Sequence, residues 1–239
     1  MNKNLLHHSL ILEGNVGAGK STFLKILGSY LDIKPIFEPH QKWQDVQGEN
    51  LLERFYNDTS RWAYTFQTYA FVTRVLEQEA QARNFPGAVQ VLERSVYSDR
   101  YCFAKNCYEM GVMSGLEWKL YQEWFAWLVD NYTPRPTGFI YLRTKPEICY
   151  ARMQRRNRSE ESTVPLDYLK KIHDKHENWL VQKKDIASYL QDIPVLILEC
   201  DIDFEHNKQE QEKHVGRIID FFKIVQMKTE RPKVNMKTL

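Results

Sequence analysis

Short apolar runs alternate along the chain with longer segments whose apolar positions recur every three to four residues. Ser9-Leu10-Ile11-Leu12 is the first run, short and apolar as a strand buried on both faces should be. Residues 35–37, 88–92, 137–142 and 194–198 repeat the pattern and predict four more strands. Between them the spacing turns helical. Phe23, Leu24, Ile26 and Leu27 open one helix, and residues 51–82 hold a long one with a break at Asn57-Asp58-Thr59-Ser60. Further helices are expected over 115–131, after Lys145-Pro146, after Pro165 and over 208–226. Strand and helix in alternation predict an α/β fold on a parallel sheet. The polar, basic stretch 228–239 is expected to fray.

The loop after the first strand carries chemistry. Gly14-Asn15-Val16-Gly17-Ala18-Gly19-Lys20-Ser21, followed by Thr22, has the form G-x-x-x-x-G-K-[ST]. Strand, glycine loop and helix in that order turn backbone N–H groups and a helix N-terminus toward an anion. Lys20 would meet the outer phosphates of a nucleotide, and the Ser21 hydroxyl would bind the accompanying Mg2+. The competing reading is a glycine turn that binds nothing. It is disfavoured because four fixed positions stand in the context the motif requires. With this loop, the expected fold is a P-loop NTPase-type three-layer α/β structure.

Other strands deliver charged residues to the same edge. Glu38-Pro39 follows the second strand, and open α/β sheets bind ligands at their C-terminal edge. Glu38 is therefore a candidate general base, or else a solvated loop acid. Glu93-Arg94-Ser95 closes the third strand, where an acid would serve as an oxygen ligand to a metal opposite the P-loop hydroxyl. A plain Glu93–Arg94 ion pair is the alternative. Ser98-Asp99-Arg100 looks like a helix start, so Asp99 is either a cap or a ligand contact. Gln67, Ala70, Phe71, Arg74 and Gln78 share one helical stripe. Apolar residues mixed with amide and guanidinium groups suit a pocket wall, where an amide can pair with a base edge; a solvated amphipathic helix is the other possibility. Trp118, Tyr121, Trp124, Phe125 and Leu128 form an aromatic stripe, read as core before subunit interface.

Residues 152–158 hold Arg152, Arg155, Arg156 and Arg158, and a polar loop follows. A basic run is usually a solvated face. At the end of a helix in a chain with a phosphate site, it reads instead as an arginine-rich lid, over 152–164, that closes on phosphate.

Composition narrows the classes. The chain has 239 residues, enough for one α/β domain over 1–239. Its 33 Lys and Arg against 31 Asp and Glu leave a formal charge of +2, so no strong field argues for a nucleic acid or membrane partner. No apolar run is long enough to cross a bilayer. Cys102, Cys107, Cys149 and Cys200 lack C-x-x-C spacing and read as free thiols in a reducing compartment. A cytoplasmic location is expected, with a removed organelle-targeting segment left open.

Taken together these motifs resemble the deoxyribonucleoside kinases, relatives of deoxycytidine kinase and deoxyguanosine kinase, from Leu10 to Phe222. The resemblance rests on the P-loop, Glu38-Pro39 with Trp43, Trp62 to Arg74, Glu93 to Tyr101, the arginine lid, and His176-Glu177-Asn178-Trp179-Leu180. It implies a five-stranded parallel sheet wrapped by helices, a homodimer through a helical bundle, and transfer of the γ-phosphoryl of ATP or another nucleoside triphosphate to the 5′-hydroxyl of a deoxynucleoside with Mg2+. By the same resemblance, Glu38 matches the base and Arg94 the arginine beside the acceptor hydroxyl. Glu93 joins Ser21 in the metal shell. Gln67 pairs with the nucleobase and Phe103 stacks on it. Tyr56 and Glu161 hold the 3′-hydroxyl, and Arg152, Arg156 and Arg158 meet the donor phosphates. Asp203 and Phe204 pack on the donor base. Arg74 and Asp99 occupy the places of a charged pair in the branches that take deoxycytidine, deoxyadenosine or deoxyguanosine rather than thymidine. His40 and Phe55 differ from the deoxycytidine kinase pattern, which leaves cytosine against purine open. A nucleoside monophosphate kinase and a non-catalytic P-loop protein are the alternatives.

Overall fold

A computed structural model describes residues 9–229. Residues 228 and 229 complete the last helix, and the remainder of the stretch expected to fray lies outside the described residues. Five strands form one parallel sheet: β1 (Ser9–Gly14), β2 (Lys34–Ile36), β3 (Gln90–Glu93), β4 (Gly138–Arg143) and β5 (Val195–Glu199). Their order is β2-β3-β1-β4-β5. The sheet holds Pro35 because β2 is an edge strand, where a missing N–H breaks no ladder on its free side.

Helices cover both faces, so each strand is apolar on both sides and sorts its residues with period two. Ile11, Phe139 and Tyr141 face one core, and Leu10, Leu12, Ile140 and Leu142 face the other. On the second face lies α1 (Lys20–Tyr30). The first face is reached through α2 (His40–Gln44) and α3 (Leu51–Asn57) and is covered by α4 (Thr59–Asn84). The α3–α4 break falls at Asp58, which ends one helix and caps the next by accepting from the Arg61 N–H.

After β3 the chain departs from expectation. The helix start lies at α5 (Val96–Ser98), where Ser95 and Ser98 form a capping box. Asp99 is therefore not the N-cap; it follows the helix as its C-cap residue. It sits in a π-helical turn, Asp99–Ala104, that runs into α6 (Lys105–Glu109). π-turns of this kind often mark functional sites. The aromatic stripe of α7 (Gly115–Tyr132) splits: Tyr121, Phe125 and Leu128 are core, whereas Trp124 is half exposed beside Trp127. The remaining helices are α8 (Pro146–Arg156), α9 (Leu166–His176) and α10 (Lys208–Thr229). α8 opens on Pro146 and stops at Asn157 in the left-handed conformation (φ 52°).

Strand order places the chemistry. The P-loop leaves central β1; the chains leaving β3 and β2 lie on one side of it, and those leaving β4 and β5 on the other.

Candidate active site

The P-loop needs glycine at two tight approaches. Gly17 has φ +79°, and a Cβ there would lie 2.2 Å from the Cys149 carbonyl oxygen. Gly19 has φ +89°, and its Cβ would lie 2.8 Å from the Phe204 ring. Asn15 fixes the loop by donating to the Leu169 carbonyl and accepting from the Val16 N–H. Lys20 heads α1, is buried, and donates to the Asn15 carbonyl at 2.8 Å. Burial, then the Arg94 charge, lower its pKa to about 7. A bound polyphosphate would reverse both influences by supplying negative charge. Ser21 Oγ donates to Glu93 Oε1 at 2.6 Å. A hydroxyl and a carboxylate oxygen so close are the hard donors Mg2+ takes from a protein, so the residues fit that ion.

On the β2–β3 side lies a pocket lined by Glu38, Tyr56, Gln67, Arg74, Arg94 and Phe103. Glu38 stands at its polar end with a side chain only 6% exposed. Burial acts to raise its pKa, but Arg74, His40 and Arg94 together hold it well below the usual carboxylate range. Arg74 Nη2 is 2.5 Å from Glu38 Oε1, and Arg94 Nε is 3.3 Å from the same oxygen. Arg74 also reaches Asp99 Oδ2 at 2.9 Å, and so bridges two buried acids. Burial pushes Asp99 up to about 6 against the pull of Arg74. Arg94 holds a left-handed backbone (φ 64°) while its N–H bonds the Leu12 carbonyl. That bend turns its side chain out of the strand, over the Phe103 ring at 4.6 Å. Glu93 and Arg94 thus point to different partners, and they are not a simple ion pair.

The apolar wall of this pocket includes Phe55, Phe66 and Ala70, with Gln67 between them. Gln67 is buried, and its amide finds only the Cys107 sulfur at 3.8 Å. Buried amides carry about two donors and two acceptors, so this one is under-used. Tyr56 and Glu161 line the same space, and burial followed by the Glu161 charge raises the Tyr56 pKa.

A second cavity on the β4–β5 side is lined by Gly17, Gly19, Thr22, Arg152, Asp203 and Phe204. The arginines of the basic run have different partners. Arg152 donates to the Cys200 carbonyl and lies close to those of Asp201 and Ile202, fixing the loop after β5. Arg156 donates to both oxygens of Glu161, at 2.7 and 2.6 Å. Arg158 stands 3.6 Å from Glu161 and 3.5 Å from His40 Nε2. Arg155, which was not singled out from the sequence, also lines the second cavity.

Sequence reasoning missed the His40–Glu38 contact and the buried Glu13. Nothing in the spacing separates His40 from a surface helix start, but Glu13 could have been found as a lone acid inside an apolar strand. The His176–Leu180 motif is structural. The His176 ring stacks on Tyr141, Glu177 pairs with Arg143, and Trp179 is core. All four cysteines are free and buried, and no described helix is long and apolar enough to cross a membrane.

Comparison with known proteins agrees with this geometry. The family model described as deoxynucleoside kinase matches residues 10–223. A mitochondrial deoxyguanosine kinase of Xenopus laevis is 39% identical, over 92% of this chain and 91% of the relative. Deoxycytidine kinase 2 of Gallus gallus is 40% identical over 88% of each chain, and human deoxycytidine kinase 38% identical over 88% of this chain and 89% of its own. With a P-loop, a hydroxyl–carboxylate contact and a pocket beside them, and with the family model matched over residues 10–223, this chain belongs to the deoxynucleoside kinase family.

Proposed function

We propose that the protein transfers the γ-phosphoryl group of ATP, or another nucleoside triphosphate, to the 5′-hydroxyl of a 2′-deoxynucleoside, with deoxycytidine and purine deoxynucleosides preferred over thymidine. The observation that carries this is the position of Glu38, a buried carboxylate in one pocket with the P-loop residues Gly17, Lys20 and Ser21 and with Gln67 and Phe103.

In this reading the two cavities meet at Gly17, which lines both. The donor lies over the P-loop with its base against Asp203 and Phe204. Gly14 to Thr22 present N–H groups to its phosphates, and Lys20, Arg152, Arg156 and Arg158 supply cations. Ser21 and Glu93 hold Mg2+, which neutralises charge on the phosphates. Gln67 pairs with the acceptor base and Phe103 stacks on it. Tyr56 and Glu161 fix the 3′-hydroxyl, which directs the 5′-hydroxyl toward Glu38. Glu38 takes the proton from that hydroxyl. A strongly acidic carboxylate suffices, because in a loose transition state proton removal comes late. Arg94 keeps a buried Nη1 without a partner among the described residues, and this group is available to the reacting oxygens. Positioning and charge supply most of the catalysis.

The family resemblance extends to a homodimer. Leu116, Leu120, Trp124 and Trp127 leave an apolar stripe exposed on α7, and Leu76 is exposed on α4, which packs against α7. Such a stripe suits a helical interface between two copies. The reading includes a cytoplasmic location, in keeping with four free cysteines.

Glu38→Gln tests the assignment of the base. It should lower kcat by at least a hundredfold while deoxynucleoside binding, followed by calorimetry, stays within about threefold of wild type. Turnover retained by the variant would remove Glu38 from the role.

A further inference from the structure

We infer that His40 is a positioning residue for Glu38, holding the one carboxylate oxygen that is free to act as a base; this rests on the proposal that Glu38 accepts the 5′-hydroxyl proton. The two oxygens of Glu38 are surrounded unequally. Arg74 and Arg94 make their closest approaches to Oε1, at 2.5 and 3.3 Å. Oε2 is met by His40 Nε2 at 2.8 Å. Each carboxylate oxygen can accept about two hydrogen bonds. Two guanidinium groups therefore crowd Oε1, whereas one imidazole leaves a lone pair of Oε2 for the acceptor.

The chain builds this contact locally. Pro39 follows Glu38, and the His40 N–H bonds back to the Glu38 carbonyl at 2.8 Å, so the two side chains leave the same tight turn. The imidazole is held edge-to-face on Trp43, with ring centroids 5.1 Å apart. Trp43 is itself fixed by donating from its indole N–H to Thr73 Oγ1 on α4. The ring orientation is therefore set from behind, and Nε2 is directed at Glu38. Nδ1 is buried without a partner among the described residues, so none of them offers the ring a competing bond there.

His40 also faces the lid. Arg158 Nη1 lies 3.5 Å from the same Nε2. An Nε2–H that donates to Glu38 cannot accept from Arg158, and the two contacts exclude each other. In the arrangement seen here Nε2 serves Glu38. The charged groups around the ring are Glu38 from its own turn, Arg158 and Glu161 from the lid, Arg74 from α4 and Arg94 from the end of β3.

The experiment compares kcat and deoxynucleoside KM of wild type, His40→Leu, His40→Gln and Glu38→Gln under one set of conditions. Glutamine can present an N–H near the position of Nε2. His40→Leu should lose about tenfold in kcat with KM within threefold, and His40→Gln should recover most of that loss. An unchanged kcat in His40→Leu, or a His40→Gln enzyme no faster than His40→Leu, would overturn the inference while Glu38→Gln remains inactive. An active Glu38→Gln enzyme would instead strike the base assignment beneath it.

Discussion

Arg74 holds Glu38 from the opposite side of the pocket, Nη2 to Oε1 at 2.5 Å, and the same guanidinium reaches Asp99 at 2.9 Å. A buried cation shared by two acids is fixed in place, because freeing either acid would leave an uncompensated buried charge. Asp99 and Glu38, acting against burial, raise the Arg74 pKa, so it stays charged.

This bridge is the proposed gate against thymidine, since Arg74 and Asp99 line the same pocket as Ala70 and Gln67. The double change Arg74→Met with Asp99→Ala should raise thymidine kcat/KM relative to deoxycytidine by at least tenfold, or about 1.4 kcal/mol. Parallel steady-state assays measure it, and an unchanged ratio removes the pair as the gate.

Arg156 and Glu161 are joined by two short bonds, yet they are assigned to different substrates, the arginine to donor phosphate and the acid to the acceptor 3′-hydroxyl. Binding of either substrate then frees the partner for the other. Arg156→Gln should raise donor KM by about tenfold, as loss of a charge-assisted contact does. It should also reduce the degree to which donor binding tightens acceptor binding. Isothermal titration of deoxynucleoside with and without a non-hydrolysable donor reads the coupling directly.

Glu13 is fully buried at the end of β1; it accepts from Ser95 Oγ at 2.7 Å through one oxygen and has no partner on the other among the described residues. Burial raises its pKa from 4.5 to about 7, against the opposing charges of Arg94 and Arg74. The folded protein therefore holds the proton more tightly than the unfolded chain. Its contribution to stability is full below pH 4.5 and is lost as pH rises through about 7. The amount is on the order of 3 kcal/mol. Glu13→Gln should lack this dependence. Denaturant melts from pH 5 to 8 should show the variant gaining on wild type as pH rises, and parallel curves would contradict the assignment.

Trp124 and Trp127 are half exposed, with ring centroids 6.2 Å apart on α7. Trp124→Glu with Leu120→Glu should convert a dimer to a monomer in sedimentation velocity, without moving the melting temperature by more than a few degrees, since neither residue is core. A wild type that sediments as a monomer at micromolar concentration would contradict the dimer.

How much was legible depends on range. The P-loop is contiguous and could be read outright, and five apolar runs gave five strands. Ser21 and Glu93 lie far apart in the chain, yet were matched because parallel sheets bring strand ends together. The helix start expected at Ser98-Asp99-Arg100 lies instead at Val96, because the Ser95–Ser98 capping box and the π-turn after it leave no periodic signature. The exposure of Trp124 was not legible either, since an interface face and a core face of one helix share the same apolar spacing. Side-chain pairings such as Arg156–Glu161 depend on rotamers and on Asn157 entering the left-handed region, which the basic run alone does not specify.

The central claim is the acceptor class. Initial rates with ATP–Mg should be measured against deoxycytidine, deoxyadenosine, deoxyguanosine and thymidine in parallel. Turnover of one or more of the first three, with thymidine poor, is the predicted result. Efficient thymidine turnover would keep the kinase and contradict the Arg74–Asp99 gate, and no turnover of any of the four would contradict the account.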